Sequence, residues 1–387
     1  MKIHGLAAIA LAAAFATPAF AQDGYSAGSL GAKTRFANDQ LAAMAEPFVG
    51  LRTSDGIEEG LYPIEATGVS TAPMAEAAQA FIDQLTPAQL LRTQFAVDAG
   101  EWRQWSNVDN GIYTRMGTSL KEMTAPQRAA AMHLLEVSLS AKGLGTSRDI
   151  MKTDQSLREL NDDAFYLDED LYYVTIMGIP SETTPWGWQL DGHHLVINYF
   201  VLGDQVVMTP TFMGAEPAVS HSGMHEGNAV LQAEQNAGLA FMQSLLPDQQ
   251  ARAILAERKP GKDIQAEANK DNLVLDYAGL RVAGLSEAQK ADLLGLVGLY
   301  VGNMDDGHAA VKMAEVEAHL DDTWFAWVGS TEADSVFYYR IHSPVLLIEF
   351  DHQDPVGTRS INTPGVPTRD HIHTVIRTPN GNDYGRD

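Results

Sequence analysis

Apolar side chains recur at helical spacing through Phe36, Leu41, Met44 and Phe48, which predicts a helix over 34–48; the stretch from Gly50 to Gly68 reads as loop or short strand. A second helix is expected from Pro73 to Leu85. Thr86-Pro-Ala-Gln89 and Thr124-Ala-Pro-Gln127 each offer a capping threonine with proline in the first turn. The helix after Thr124 is expected to run through Leu139 and to stop at Gly143-Leu-Gly145. The period then changes from 3.6 to 2. Leu171 to Met177 and His194 to Val201 are rich in aromatic and β-branched residues and read as strands; Gly203-Asp204 is a tight turn into Gln205–Thr209. Helical spacing returns over Glu226–Leu246, Pro247–Glu257, Ser286–Met304 and Ala309–Leu320, followed by strands at Trp324–Val328, Val336–Ile341, Val345–Phe350 and His373–Arg377. Helices followed by strands in hairpins predict an α+β fold rather than a parallel α/β one.

The pattern occurs twice. Trp188-Gln-Leu-Asp-Gly-His-His-Leu-Val-Ile-Asn-Tyr199 aligns with Tyr339-Arg-Ile-His-Ser-Pro-Val-Leu-Leu-Ile-Glu-Phe350, and each is followed by a β run ending in Thr-Pro, at Pro210 and Pro379. An internal duplication is the economical reading. It predicts an N-terminal arm over 22–74 and two α+β copies, 75–220 and 221–387, each a helical hairpin followed by an antiparallel meander, packed together.

Residues 1–21 have the form of a secretion signal. Lys2 supplies the charged start, Leu6 to Phe15 the apolar centre, and Ala19-Phe-Ala21 a small-x-small cleavage site before Gln22. That centre is too short for a membrane span, which needs about 20 residues. The expectation is a periplasmic or secreted protein. A net charge of −24 argues against nucleic acid and anionic membranes as partners and leaves a small-molecule substrate or ligand. With no cysteine in the chain, a bound metal must be held by His, Asp, Glu, Asn or backbone oxygen.

Two histidine clusters carry the candidate chemistry. His371 and His373 alternate onto one face at a strand start, so two imidazoles can reach one metal. If their strand pairs with the one ending Glu349-Phe-Asp351, either acid comes within reach of them. The set suits Zn²⁺ or Fe²⁺. His193 and His194 form the second cluster, with Glu216 at the end of the following hairpin. The other copy has Pro344 and Val345 at these places, so the fold does not require the histidines. The candidate metal ligands are therefore His193, His194, His371, His373 and Asp351; Glu349 and Glu216 are candidate general bases. Arg340 is a candidate for binding a carboxylate. His221, His225, His308 and Glu315 are weaker candidates, and the His-Glu-x-x-His order of a zincin is absent.

The Trp186-Gly-Trp-Gln-Leu-Asp-Gly-His-His-Leu195 and Thr209-Pro-Thr-Phe-Met-Gly-Ala-Glu-Pro217 runs resemble a family of exported bacterial and fungal proteins, domain of unknown function 3500. Phe325-Ala-Trp-Val-Gly329, Tyr338-Tyr-Arg-Ile341, Leu347-Ile-Glu-Phe-Asp351 and His371-Ile-His-Thr-Val375 add to the resemblance, which covers roughly residues 75–385. Asp351-His-Gln353 departs from the Asp-Asn-Thr-Gln expected of the family. The resemblance implies export and no particular activity. From the residues, a metal-dependent hydrolase ranks first, ahead of a metal-dependent oxidoreductase and a ligand-binding protein with Trp186, Trp188, Tyr338 and Tyr339 lining a groove.

Overall fold

The structure is a computed structural model and describes residues 27–385, so the expected signal segment lies outside the described residues. The chain opens with α1 (Ala27–Ala45), an extended arm, α2 (Ala72–Gln84) and α3 (Pro87–Thr93), then the short strands β1 (Gln94–Phe95) and β2 (Thr118–Ser119). Helices α4 (Ala125–Ser138) and α5 (Ala141–Leu160) lead into β3 (Tyr173–Gly178), β4 (Trp186–Gly192), β5 (Leu195–Leu202), β6 (Gln205–Val207) and β7 (Thr211–Ala215). Next come α6 (Gln232–Ser244), α7 (Pro247–Ala253), β8 (Ile254–Ala256), β9 (Leu280–Arg281), α8 (Glu287–Val301) and α9 (Asp306–Ala318). Strands β10 (Trp324–Gly329), β11 (Phe337–His342), β12 (Leu347–His352) and β13 (Ile372–Arg377) complete the chain.

All the strands join one mixed sheet, ordered β1-β3-β4-β5-β7-β13-β12-β11-β10-β8, with β2, β6 and β9 pairing at its margins. The long strands are antiparallel, while β1 and β8 run parallel to β3 and β10 at the two ends. This is the mixed α+β architecture read from the hydrophobic period.

Capping explains several helix starts. Thr86 accepts from the Gln89 amide while Gln89 returns a bond to the Thr86 amide; Ser286 and Gln289 do the same before α8. The expected stop at Gly143 is corrected. Helix α4 ends at Ser138, and Ser140 caps α5, which runs through both glycines. Gly143 is present because α5 crosses the 303 loop closely: a Cβ there would stand 2.1 Å from the Asn303 carbonyl oxygen.

Strand alternation divides the core. Ile197, Leu190, Ile348 and Tyr339 face the helices and pack with Leu134, Leu135, Leu296 and Val297. The residues between them face the other way. Val196, Phe212, Val375 and Leu347 lie under a layer of coil that contributes Trp102, Trp105, Ile264 and Leu275. That second face also carries a polar band. Gly214, His373, Asp351 and Tyr338 lie in cross-strand register, as do Phe212, Val375, Glu349 and Arg340. Arg377 locks the coil onto it, donating to Asp271, Asp383 and the Ala266 and Glu267 carbonyls. Among the described residues no helix is long and apolar enough to cross a membrane.

Candidate metal centre

The β4–β5 hairpin turns on two residues, His193 and His194, since Gly192 pairs with Leu195. His194 sits at φ 58°, the left-handed region where glycine or asparagine is the low-energy choice. A β-turn position filled by a costly residue type points to use of the side chain. The turn is held by the His194 amide donating to the Asn107 carbonyl and by the Gly214 amide donating to the His194 carbonyl.

Strand β7 then brings the two histidine clusters together. It pairs with β5 on one side and β13 on the other, and its Gly214 lies directly opposite His373. A Cβ on Gly214 would meet His194 Cδ2 at 3.1 Å and the Ile372 carbonyl at 2.7 Å. Glycine leaves the space in which the His194 and His373 rings meet. His194 Nε2 lies 3.2 Å from His373 Nε2, and His371 Nε2 lies 3.0 Å from the same atom. All three residues are buried, with 2, 3 and 6 % exposure for His194, His371 and His373.

Two of the rings are oriented from behind. His371 donates through Nδ1 to the Asp354 carbonyl at 2.7 Å, and His373 donates through Nδ1 to Glu267 Oε1 at 2.6 Å. Each ring is thereby fixed in the tautomer that turns an Nε2 lone pair inward. His194 Nδ1 has no hydrogen-bond partner among the described residues. Burial, reinforced by the neighbouring imidazoles, holds His194 well below the ordinary histidine range. Burial also lowers His373 to about 4, against the pull of Glu267. Burial alone would raise the Glu267 carboxyl, but the His373 hydrogen bond and the charge of Lys262 outweigh it and bring it to about 2. The arrangement is a carboxylate accepting from a neutral imidazole, the form in which histidine binds metals.

The centre opens into a cavity of about 500 Å³. Its walls are largely apolar, with Phe36 from α1, Ile112, Leu157, Tyr166 and Ile264. Helix α1 is tied over it through Arg103, which donates to the Ala43 and Glu46 carbonyls, and through a Gln40–Tyr113 hydrogen bond.

The other candidates lie elsewhere. His193 is not one of the three converging rings; it bonds through Nδ1 to Asp154 Oδ1 at 2.6 Å. Asp351 lies opposite His373 in the β12–β13 pairing, but its carboxylate is paired with Lys259 Nζ at 2.6 Å and caps the Asp263 and Ile264 amides. Burial pushes it up to about 6 despite Lys259. Glu349 accepts from Tyr338 Oη, Gln265 N and Ala266 N, and burial pushes it up to about 7. The 263–266 segment thus lies over both acids while its Ile264 and Gln265 line the cavity. Arg340 stands in register with Glu349 and donates to the Asp276 carbonyl. Glu216 does reach the cavity. Its Oε1 accepts from the Val356, Gly357 and Thr358 amides and the Thr358 hydroxyl, leaving Oε2 3.7 Å from His371 Nδ1. It anchors the loop that supports His371. His225 pairs with Glu169, exposed His221 lies near Asp370, and His308 uses both ring nitrogens, on Asp305 and the Asp204 carbonyl.

Glu267, Gly214 and Asp154 complete the site and were not among the expected residues. Gly214 stood inside a recognised motif; Glu267 sits in a polar coil with no local signal.

Fold and site together define an α+β protein with a buried three-histidine group able to hold a metal ion. A family model described as protein of unknown function (DUF3500) matches residues 67–386, and the chain belongs to that family. Comparison with curated proteins and with solved structures found no match.

Proposed function

We propose that the protein is an exported metal-dependent enzyme, a hydrolase of small molecules, with Zn²⁺ held by His194, His371 and His373. The observation that carries this reading is the convergence of three inward Nε2 atoms. Nitrogens 2.0–2.1 Å from one ion at tetrahedral angles stand about 3.3 Å apart, close to the 3.0 and 3.2 Å found here. With Nδ1–H of His371 and His373 committed behind them, these two Nε2 atoms are acceptors 3.0 Å apart and call for a proton or a cation between them. One proton can bridge one pair of nitrogens; a divalent ion satisfies all three.

An all-nitrogen set suits zinc or iron rather than magnesium or calcium. Three protein ligands facing a cavity are the pattern of catalytic zinc, in which a fourth position stays open. The ion would supply a polarised carbonyl or a water made acidic enough to attack at neutral pH. The chain's own part is to hold the rings, through Glu267, the Asp354 carbonyl and Gly214, and to exclude bulk water with α1 and the apolar walls.

The order of elements supports a duplicated origin. Helices α2 and α3 with β1, then β2, α4, α5 and the strands β3, β4, β5 and β7 match α6 and α7 with β8, then β9, α8, α9 and the strands β10, β11, β12 and β13, with β6 an addition to the first half. Lys2, the apolar run to Phe15 and Ala19-Phe-Ala21 support cleavage after Ala21 and a periplasmic or extracellular location. The net charge of −24 and the cavity of about 500 Å³ favour a small-molecule substrate over nucleic acid or membrane.

The test is metal analysis of protein purified without chelators. One equivalent of colourless metal per chain, lost in the His371→Ala/His373→Ala variant, supports the reading. Folded protein that takes up no metal from a zinc buffer overturns it.

A further inference from the structure

The centre has a neighbour that the three-histidine arrangement does not use. His193 stacks on His194, ring centroids 4.0 Å apart at 23°. Its Nδ1 is committed to Asp154 Oδ1 at 2.6 Å, and Asp154 is only 1 % exposed. The other carboxylate oxygen of Asp154 accepts from the Tyr172 hydroxyl at 3.0 Å, which also reaches the His193 carbonyl at 3.0 Å. The wall behind is tight: a Cβ on Gly192 would run into the Tyr172 ring at 2.1 Å. Ring, acid and phenol are therefore fixed in one orientation. At the front, His193 lines the same cavity as the three ligands, and its Nε2 makes no hydrogen bond among the described residues.

A solvated surface histidine would not be built in this way. An imidazole whose far nitrogen is held by a buried carboxylate has its near nitrogen aimed and its tautomer set. A polar atom left open in a largely apolar cavity is a specificity contact in wait, because such pockets recognise ligands through a few placed polar groups.

We propose that the Asp154–His193 pair is the second half of the site, presenting His193 Nε2 as the acceptor for a hydrogen-bond donor on the molecule bound at the three-histidine centre. This rests on the metal reading above. It assigns a substrate class: compounds with an O–H or N–H group beside the atom that meets the metal, such as hydroxamates, amides or α-hydroxy carbonyl compounds. His193 binds and orients; Asp154 and Tyr172 act through it as positioning residues.

The test uses full-length protein loaded with Co²⁺, whose visible absorption reports the centre. Two probes are titrated at pH 8: acetohydroxamate, which keeps an N–H donor when its oxygens meet the metal, and azide, which carries none. The wild type is compared with His193→Phe and Asp154→Asn. Both variants should keep one cobalt per chain and bind azide within about twofold of wild type. Acetohydroxamate should weaken about tenfold in His193→Phe, the scale of one lost hydrogen bond in a closed site. Asp154→Asn keeps the ring but lets the amide donate to Nδ1, reversing the tautomer, and should lose a similar factor. Equal hydroxamate affinity in all three proteins, or parallel loss of azide and hydroxamate, overturns the proposal while leaving the metal centre standing. No cobalt in the wild type overturns the metal reading itself. Should His193→Phe alone fail to hold cobalt, the Asp154→Asn comparison decides.

Discussion

Replacing Glu267 by Gln tests the orientation of the centre without touching a ligand. In the native protein the carboxylate accepts from His373 Nδ1 at 2.6 Å and pairs through its other oxygen with Lys262. Both His373 and Glu267 are buried, so little water screens the bond. Glutamine keeps the shape and one acceptor oxygen but loses the charge, so His373 becomes a poorer base and its ring is held less firmly. Loss of such a partner behind a metal-binding histidine costs about 10–100-fold in affinity. At 1.36 kcal/mol per decade that is about 1.4–2.7 kcal/mol. Competition against a chromophoric chelator at fixed pH measures it directly, with Glu267→Ala as the severer companion, since it also leaves Lys262 uncompensated. The reasoning is refuted if Glu267→Gln binds zinc within twofold of wild type while the His371→Ala/His373→Ala protein binds none.

Two further perturbations follow from the geometry. Gly214→Ala places a methyl 3.1 Å from His194 Cδ2 and 2.7 Å from a strand carbonyl. It should cost about 1–3 kcal/mol and displace the ring, lowering metal stoichiometry; Gly143→Ala, 2.1 Å from the Asn303 carbonyl, should cost stability without changing metal content. Comparable metal content in the two variants would remove Gly214 from the account of the site. His342 provides a pH signature away from the centre. It is buried, both ring nitrogens lack hydrogen-bond partners among the described residues, and burial, with Arg340 beside it and against Asp276, lowers it to about 3; the Tyr277 ring packs 4.6 Å away. A histidine lowered on folding takes up its proton only in the unfolded chain between pH 6.5 and 3, so stability is complete above 6.5 and falls as pH drops through that window. At pH 5 the loss is about 2 kcal/mol. His342→Phe should therefore gain on wild type by that amount between pH 8 and pH 5 in thermal unfolding, and a constant difference across pH would contradict the assignment.

Much of the scaffold was legible because it rests on local period. The strands alternate as their sequences do, and the helices after Thr86 and Thr124 start where the pattern placed them. Helix α5 was missed because its sequence from Ala141 to Leu160 is polar and glycine-bearing; its stability comes from packing against the 303 loop and the sheet. Strand β7 was hidden between Pro210 and Pro217, although it joins the two halves of the sheet. The site divided in the same way. His371 and His373 were readable from alternation on one strand, and that strand pairs with the one carrying Glu349 and Asp351, as the pattern suggested. Where the Asp351 carboxylate goes was not readable, because Lys259 arrives from a distant coil. Glu267 was invisible for that reason: its place behind His373 is set by Arg377 gripping the Ala266 and Glu267 carbonyls, a purely tertiary device. His193 and His194 were read together as one cluster, and only the structure assigns one to the centre and the other to Asp154.

The most direct examination of the centre is an anomalous difference map from crystals of zinc-loaded protein, with data on both sides of the zinc absorption edge. A single edge-dependent peak about 2 Å from the Nε2 atoms of His194, His371 and His373 is expected. Density absent from that point, or an ion bound instead through His193 and Asp154, would contradict it.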